Sequence, residues 1–176
     1  MLITVSGLPG SGTTTAATRV ARVLGLELLP GGEVFRAMAA ERAMSLSEFG
    51  TYAAAQPTVD VELDRRLAAR ARQGDVVIES RLAGWILHNE GLEGVAVWIQ
   101  CDEEVRAARV AGREGIAVEQ ALAENAEREK VEHDRYLALY GIDSHDTSIY
   151  DLVLDSGRLS PDQVADRIVA AAQAAS

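Results

Sequence analysis

The sequence predicts a three-layer α/β fold: a five-stranded parallel sheet with helices on both faces. Three observations carry that expectation. Short apolar runs alternate with helical patterns along all 176 residues. Those runs are continuously apolar rather than alternating, as strands buried on both faces must be. The first run also passes through a glycine-rich turn directly into a helix.

The elements follow in order. Leu2–Val5 reads as the first buried strand. From Thr14 to Leu24, the residues Ala17, Val20, Ala21 and Leu24 fall at helical spacing, and Gly25 stops the helix. Leu26–Leu29 is a short second strand, Pro30-Gly31-Gly32 a turn, and Glu33–Arg42 a helix. Ser45-Leu46-Ser47-Glu48 has the capping-box form that opens another short helix. Pro57 starts a further helical stretch that ends near Gly74. Asp75–Glu79, around Val76-Val77-Ile78, is the third strand and Val95–Gln100 the fourth. Asp102 suits the N-cap of a helix through Arg113, broken at Gly115, and Val118–Tyr140 is a long charged helix. Asp151–Leu154 is the fifth strand. Ser160-Pro161-Asp162-Gln163 then supplies a cap, a proline at the first helical position and a glutamine three residues after the cap. The final helix has Val164 and Ile168 on one face.

No linker, repeat or low-complexity segment interrupts the chain, so one domain over residues 1–176 is expected. The helical stretch at about 31–74 is long for a simple crossover and reads as a substrate-binding insertion. A formal net charge of −10 excludes sequence-independent nucleic-acid binding, which needs a basic footprint. Any anionic ligand must be met by local arginines, because Lys130 is the only lysine. No apolar run is long enough to cross a membrane, and no basic segment precedes Leu2-Ile3-Thr4-Val5, so a cytoplasmic location is expected. A single cysteine, Cys101, rules out an internal disulfide and reads as a packing residue. His88, His133 and His145 lack metal-ligand spacing, and no nucleophile-elbow motif is present.

Gly7-Leu8-Pro9-Gly10-Ser11-Gly12-Thr13-Thr14 follows a strand and opens a helix, the context of a phosphate-binding P-loop. Glycines let the backbone turn several N–H groups toward one anion, and the helix N-terminus adds partial positive charge there. Polyphosphate contacts are therefore expected from Gly7, Pro9, Gly10, Ser11, Gly12, Thr13, Thr14 and Thr15. Thr14 stands where a P-loop hydroxyl binds Mg²⁺. The usual pattern has lysine immediately before it, and this chain has Thr13. Loss of one such electrostatic contact typically costs on the order of 3 kcal/mol of transition-state stabilisation.

Beyond the loop, the sequence resembles the archaeal-type cytidylate kinases, P-loop nucleoside monophosphate kinases, over essentially its whole length. The marks are Gly32-Glu33-Val34-Phe35-Arg36, Glu79-Ser80-Arg81-Leu82-Ala83-Gly84-Trp85 and Arg109-Val110-Ala111-Gly112-Arg113-Glu114-Gly115. Farther on come Glu127-Arg128-Glu129, Arg135-Tyr136, Tyr140-Gly141-Ile142-Asp143 and Ser148-Ile149-Tyr150-Asp151-Leu152-Val153. The resemblance implies a P-loop kinase fold and transfer of the γ-phosphate of ATP to CMP or dCMP, with Mg²⁺. It implies small nucleotides as partners and a monomer.

The same resemblance implies residue roles. Arg36 and Arg81 would grip the acceptor phosphate, for which guanidinium forks are suited. Glu79 would orient Mg²⁺ through its water shell, beside Ser80, where the family often has glycine. Residues of about 106–135 resemble a lid that closes over ATP and excludes water. Within it Arg109, Arg113 and Arg128 would act on the transferring phosphoryl group, Arg106 on ATP and Arg135 on the acceptor. Arg158 would approach adenine, and Asp60, Asp64 and Arg65 would contact the cytosine or ribose. Two alternatives stay open here: an acceptor other than cytidine, such as a modified nucleotide or small phosphorylated metabolite, and a nucleotide-binding module left with weak or no transfer by Thr13. Arginines among glutamates on a helix also suit a plain solvated face laced with ion pairs.

Overall fold

The computed structural model describes residues 1–175. The strands are β1 (Leu2–Gly7), β2 (Glu27–Pro30), β3 (Val76–Glu79), β4 (Val95–Gln100) and β5 (Leu152–Asp155). The helices are α1 (Thr13–Leu24), α2 (Gly31–Glu41), α3 (Leu46–Ala55), α4 (Thr58–Ala71), α5 (Ala83–Glu90), α6 (Glu103–Glu114), α7 (Val118–Tyr140) and α8 (Pro161–Ala174). All strand pairs are parallel, in the order β2-β3-β1-β4-β5. β1 is therefore central, with Val5 opposite Glu79 of β3 and Gly7 opposite Ile99 of β4. That register gathers the loop after β1 and the ends of β3 and β4 at one sheet edge, where open α/β sheets bind ligands.

Alternation along the strands feeds both helical layers. Ile3, Val5, Val77, Val97 and Ile99 pack with Val20 of α1 and Ile168 of α8. Leu2, Val76 and Ile78 pack on the other face with Leu67 of α4 and Ile86 of α5. Two helical groups have apolar seams of their own. Met38, Phe49 and Val59 join α2, α3 and α4, and Ala107, Val110 and Ala121 join α6 to α7.

Ser45 and Ser160 both make complete capping boxes, as expected. Asp102 stands at its cap position with extended backbone, but its side chain accepts no capping bond. The expected turn at residues 30–32 is tighter in the fold. Pro30 ends β2 and caps α2, and Gly31 is already helical and packed so that a β-carbon there would lie 2.9 Å from Ser80 Cβ. α5 was not expected. It has no side-chain cap and contains Gly84, which is held against Tyr150 so closely that a β-carbon would fall 2.2 Å from the ring. No helix of the described residues is long and apolar enough to cross a membrane.

Candidate phosphate-transfer site

The loop between β1 and α1 is shaped by Gly10 (φ 82°) and Gly12 (φ 91°), both in the left-handed region that side chains disfavour. A β-carbon on Gly10 would lie 2.6 Å from the carbonyl of Arg106, so the loop rests directly on α6. Gly12 caps α1 with no side-chain bond. The first N–H groups of the helix therefore remain for an anion. Ser11 Oγ is buried without a partner, and Thr14 and Thr15 are exposed in the first turn with free hydroxyls. An orphaned hydroxyl beside uncapped amides fits a polyphosphate.

Thr13, at the expected lysine position, is only 7% exposed. Its hydroxyl donates to Glu79 Oε1 at 2.7 Å. The residue that cannot supply a charge thus ties the loop to β3 and orients the carboxylate. Among the described residues no group of three His, Cys, Asp or Glu side chains could hold a metal unaided. The Thr14 hydroxyl, directly, and the Glu79 carboxylate, through bound water, would suit a Mg²⁺ ion carried in on a nucleotide.

Two arginines of α6 are committed to the loop. Arg106 is 4% exposed; it donates to Cys101 O (3.1 Å) and Pro9 O (3.2 Å) and pairs with Glu129 of α7. Expected to contact nucleotide, it instead props the loop from behind, because buried carbonyls and a carboxylate take up its donors. Arg109 donates to Ser156 O (2.7 Å), Ser156 Oγ (3.0 Å) and Gly10 O (3.3 Å). The Ser156 hydroxyl in turn donates to Ser11 O at 2.7 Å. This network walls a cavity of about 170 Å³ with Ser11, Gly12, Thr15, Arg109, Ser156 and Pro161 in its lining. Arg158 does not line it. Its side chain is 88% exposed and paired with Asp155, since the tight turn after β5 directs it to solvent.

On the other side of the loop, Arg36 of α2 is exposed and has no hydrogen-bond or ion-pair partner. Arg81, just past β3, donates to Gly7 O (3.0 Å) and from Nε to Glu132 of α7 (3.0 Å). Glu132 also accepts from Arg128 Nε at 2.9 Å. Arg113 is exposed beside Glu114. Ser80 Oγ is buried without a partner next to Arg81.

The α4–α7 contact is polar. Arg135 Nε stands 3.2 Å from Asp60, yet its alignment leaves both atoms without a hydrogen bond. Tyr140 donates to Asp64 at 2.7 Å. Burial raises the pKa of Asp60, and pushes that of Asp64 up to about 6 against the lowering effect of the Tyr140 bond. Burial likewise raises the Tyr140 hydroxyl and takes Tyr136 up to about 12. Asp64 and Tyr140 head an apolar groove of about 280 Å³ over Leu82, Trp85 and Ile142. Arg65 lines its rim but is largely exposed and paired with Glu62.

Sequence reasoning gave no role to Glu129 or Tyr140, though both lie in segments that carry the resemblance, and it passed over Glu132 and Ser156. The two glutamates sit in a helix whose charges look like solvated i,i+4 pairs, and only the packing of α7 on the loop and β3 reveals them. Ser156 left no sequence signal beyond its place just after the fifth strand.

Residues 2–158 match the cytidylate kinase-like family. A cytidylate kinase of Pyrococcus horikoshii is 50% identical over 164 residues, covering 93% of this chain and 84% of that protein. One of Methanopyrus kandleri is 47% identical over 170 residues, covering 93% and 88%. Shikimate kinase from Aquifex aeolicus superposes with a TM-score of 0.60 over 99% of this chain and 97% of that one, at 18% identity, a likeness of fold alone. With a family match over residues 2–158 added to the glycine loop, Glu79 and the arginines around it, the chain belongs to the cytidylate kinase-like family.

Proposed function

We propose that this chain transfers the γ-phosphate of ATP to CMP or dCMP. One observation carries the reading: Arg81, suited to an acceptor phosphate, is hydrogen-bonded to Gly7 at the root of the loop suited to ATP. Donor and acceptor phosphates would thus lie within one side chain of each other. Both named relatives are cytidylate kinases, which supports cytidine as the acceptor base.

In this reading α1's first turn and residues 7–15 hold the ATP phosphates, and adenine enters the cavity beside Arg109 and Ser156. Arg36 and Arg81 fix the acceptor phosphate. One of its oxygens attacks the γ-phosphorus in line, the bond to the β–γ bridging oxygen breaks, and ADP leaves with that electron pair. No strong base is required; position and charge stabilisation do the work. Arg81, Arg113 and Arg128 supply the positive charge that Thr13 lacks. When bound beside Thr14 and Glu79, Mg²⁺ neutralises charge on the β- and γ-oxygens. The helices at 31–74 form the acceptor-binding arm, with Asp60, Asp64 and Arg135 near the nucleoside, and residues 106–135 form the lid. The protein acts as a cytoplasmic monomer.

The test is ADP release with CMP, dCMP, UMP and AMP as acceptors. CMP or dCMP should exceed AMP by about 10⁴-fold in kcat/KM, the discrimination expected of a site that hydrogen-bonds a base edge. Absence of turnover with all four overturns the proposal.

A further inference from the structure

Glu132 belongs to neither set of residues a phosphate transfer requires, yet it touches both. Its side chain is 13% exposed and lies between two guanidinium groups. One carboxylate oxygen accepts from Arg81 Nε at 3.0 Å, the other from Arg128 Nε at 2.9 Å. Arg81 belongs to the rigid end of β3, and Arg128 to α7 itself. A single carboxylate therefore links α7 to Arg81 and occupies two cations at once.

The geometry of Arg81 makes this consequential. A guanidinium grips phosphate with two adjacent N–H groups, either Nε with Nη2 or Nη1 with Nη2. Nη1 is engaged by the Gly7 carbonyl at 3.0 Å, and Nε by Glu132. The Nε–Nη2 fork thus has one prong taken, and one of the two N–H groups on Nη1 is also spent. The Gly7 partner is backbone in the central strand and cannot leave. Glu132 is a side chain on α7, which packs on α6 and, through Tyr136, on Leu82 beside Arg81, so the carboxylate can swing away while the helix stays seated. An acceptor phosphate can take the Nε–Nη2 fork of Arg81 only by displacing Glu132.

We infer that Glu132 is a positioning residue that stands in for the acceptor phosphate and keeps Arg81 and Arg128 from acting until the acceptor arrives. The inference rests on the proposed roles of those two arginines. Displacement hands Arg81 to the acceptor and, in the same event, frees Arg128 for the transferring phosphoryl group. Without acceptor both cations stay neutralised. This suppresses the wasteful reaction, in which water attacks the γ-phosphorus, the bond to the bridging oxygen breaks, and ADP and inorganic phosphate leave with the released proton.

The test uses the full chain and the variant Glu132→Gln. Three quantities are read: ATP hydrolysis without acceptor, the KM and kcat for CMP, and CMP affinity by titration calorimetry. If the Glu132-engaged form is about 90% populated, removing it strengthens CMP binding and lowers KM about tenfold. Acceptor-free hydrolysis should rise about tenfold by the same release, without a gain in kcat for transfer. Lys130→Gln, on the exposed side of α7, should change none of the three. Glu132→Asp keeps the charge, should restore part of the suppression, and carries the test if the amide variant does not fold. A helix that was merely weakened would lose stability and kcat while the ratio of hydrolysis to transfer and the CMP affinity stayed put. That pattern, or weaker CMP binding in Glu132→Gln, overturns the inference. If the unaltered chain shows no transfer, the proposed function fails instead, and tighter CMP binding by the variant still supports displacement.

Discussion

The two sides of the phosphate loop are built differently. On the ATP side, Arg106 and Arg109 spend their donors on Pro9, Gly10, Cys101 and Ser156, and the pocket wall is fixed before any ligand arrives. On the acceptor side, Arg36 has no partner, Arg81 is held by a displaceable carboxylate, and Asp60 faces Arg135 without a good hydrogen bond. One side is a preorganised cradle and the other a set of charges waiting for something to organise them. The contrast teaches that a guanidinium near a phosphate site need not touch phosphate. Burial and prior commitment separate the props from the hands.

The sharpest way to break the contrast is Arg106→Ala. It leaves Glu129 unpaired and two carbonyls unmatched behind the loop. The expected loss is about 3 kcal/mol of stability in denaturant melts, together with much weaker ATP binding. A stable variant with unchanged ATP affinity would mean the cradle does not depend on its prop. The joint between the two sides is tested by Thr13→Val, nearly isosteric but without the hydroxyl that orients Glu79. A fall in kcat of about tenfold, the worth of one hydrogen bond to a charged group, should appear without loss of fold; an unchanged kcat would relegate that bond to packing.

The smallest expected effect lies on the acceptor side, in Asp64→Asn. The folded-state pKa of Asp64, about 6, lies above the usual carboxylate value. Its contribution to stability is thus full below about pH 4 and lost as pH rises through 6. Asparagine has no charge to desolvate and still accepts from Tyr140. At pH 8 the variant should melt about 2–4 °C higher, on the order of 1 kcal/mol, and the advantage should vanish below about pH 4. Equal melting at all pH values would show that Asp64 is not strained by burial.

The strands were readable because each is an apolar run closed by glycine, proline or a polar cap, a local signal that the parallel sheet then uses unchanged. α5 was not, since its start lacks a capping side chain and its packing depends on Tyr150, some sixty-odd residues away (66 by number). In the site, the loop and Thr13 could be recognised at once, but the destination of the Thr13 hydroxyl could not, because Glu79 lies in another strand. The three- and four-residue spacing of Arg106, Arg109 and Arg113 puts them on one helix face; in the fold Arg106 and Arg109 bond the loop, while Arg113 is exposed beside Glu114. Spacing could not say that this face meets the back of the loop, which depends on how α6 docks beside Gly10.

With threonine in place of lysine, the turn at residues 7–14 carries no permanent cation, and its hold on spent nucleotide comes from amide dipoles plus arginines borne on α6 and α7. In the proposed cycle, once the arginines of α7 withdraw, a diphosphate would keep only the dipoles and the anchored Arg109. ADP should then escape quickly, and added salt, which screens distant guanidinium groups more than touching amides, should slow each round by hindering closure rather than by hindering departure.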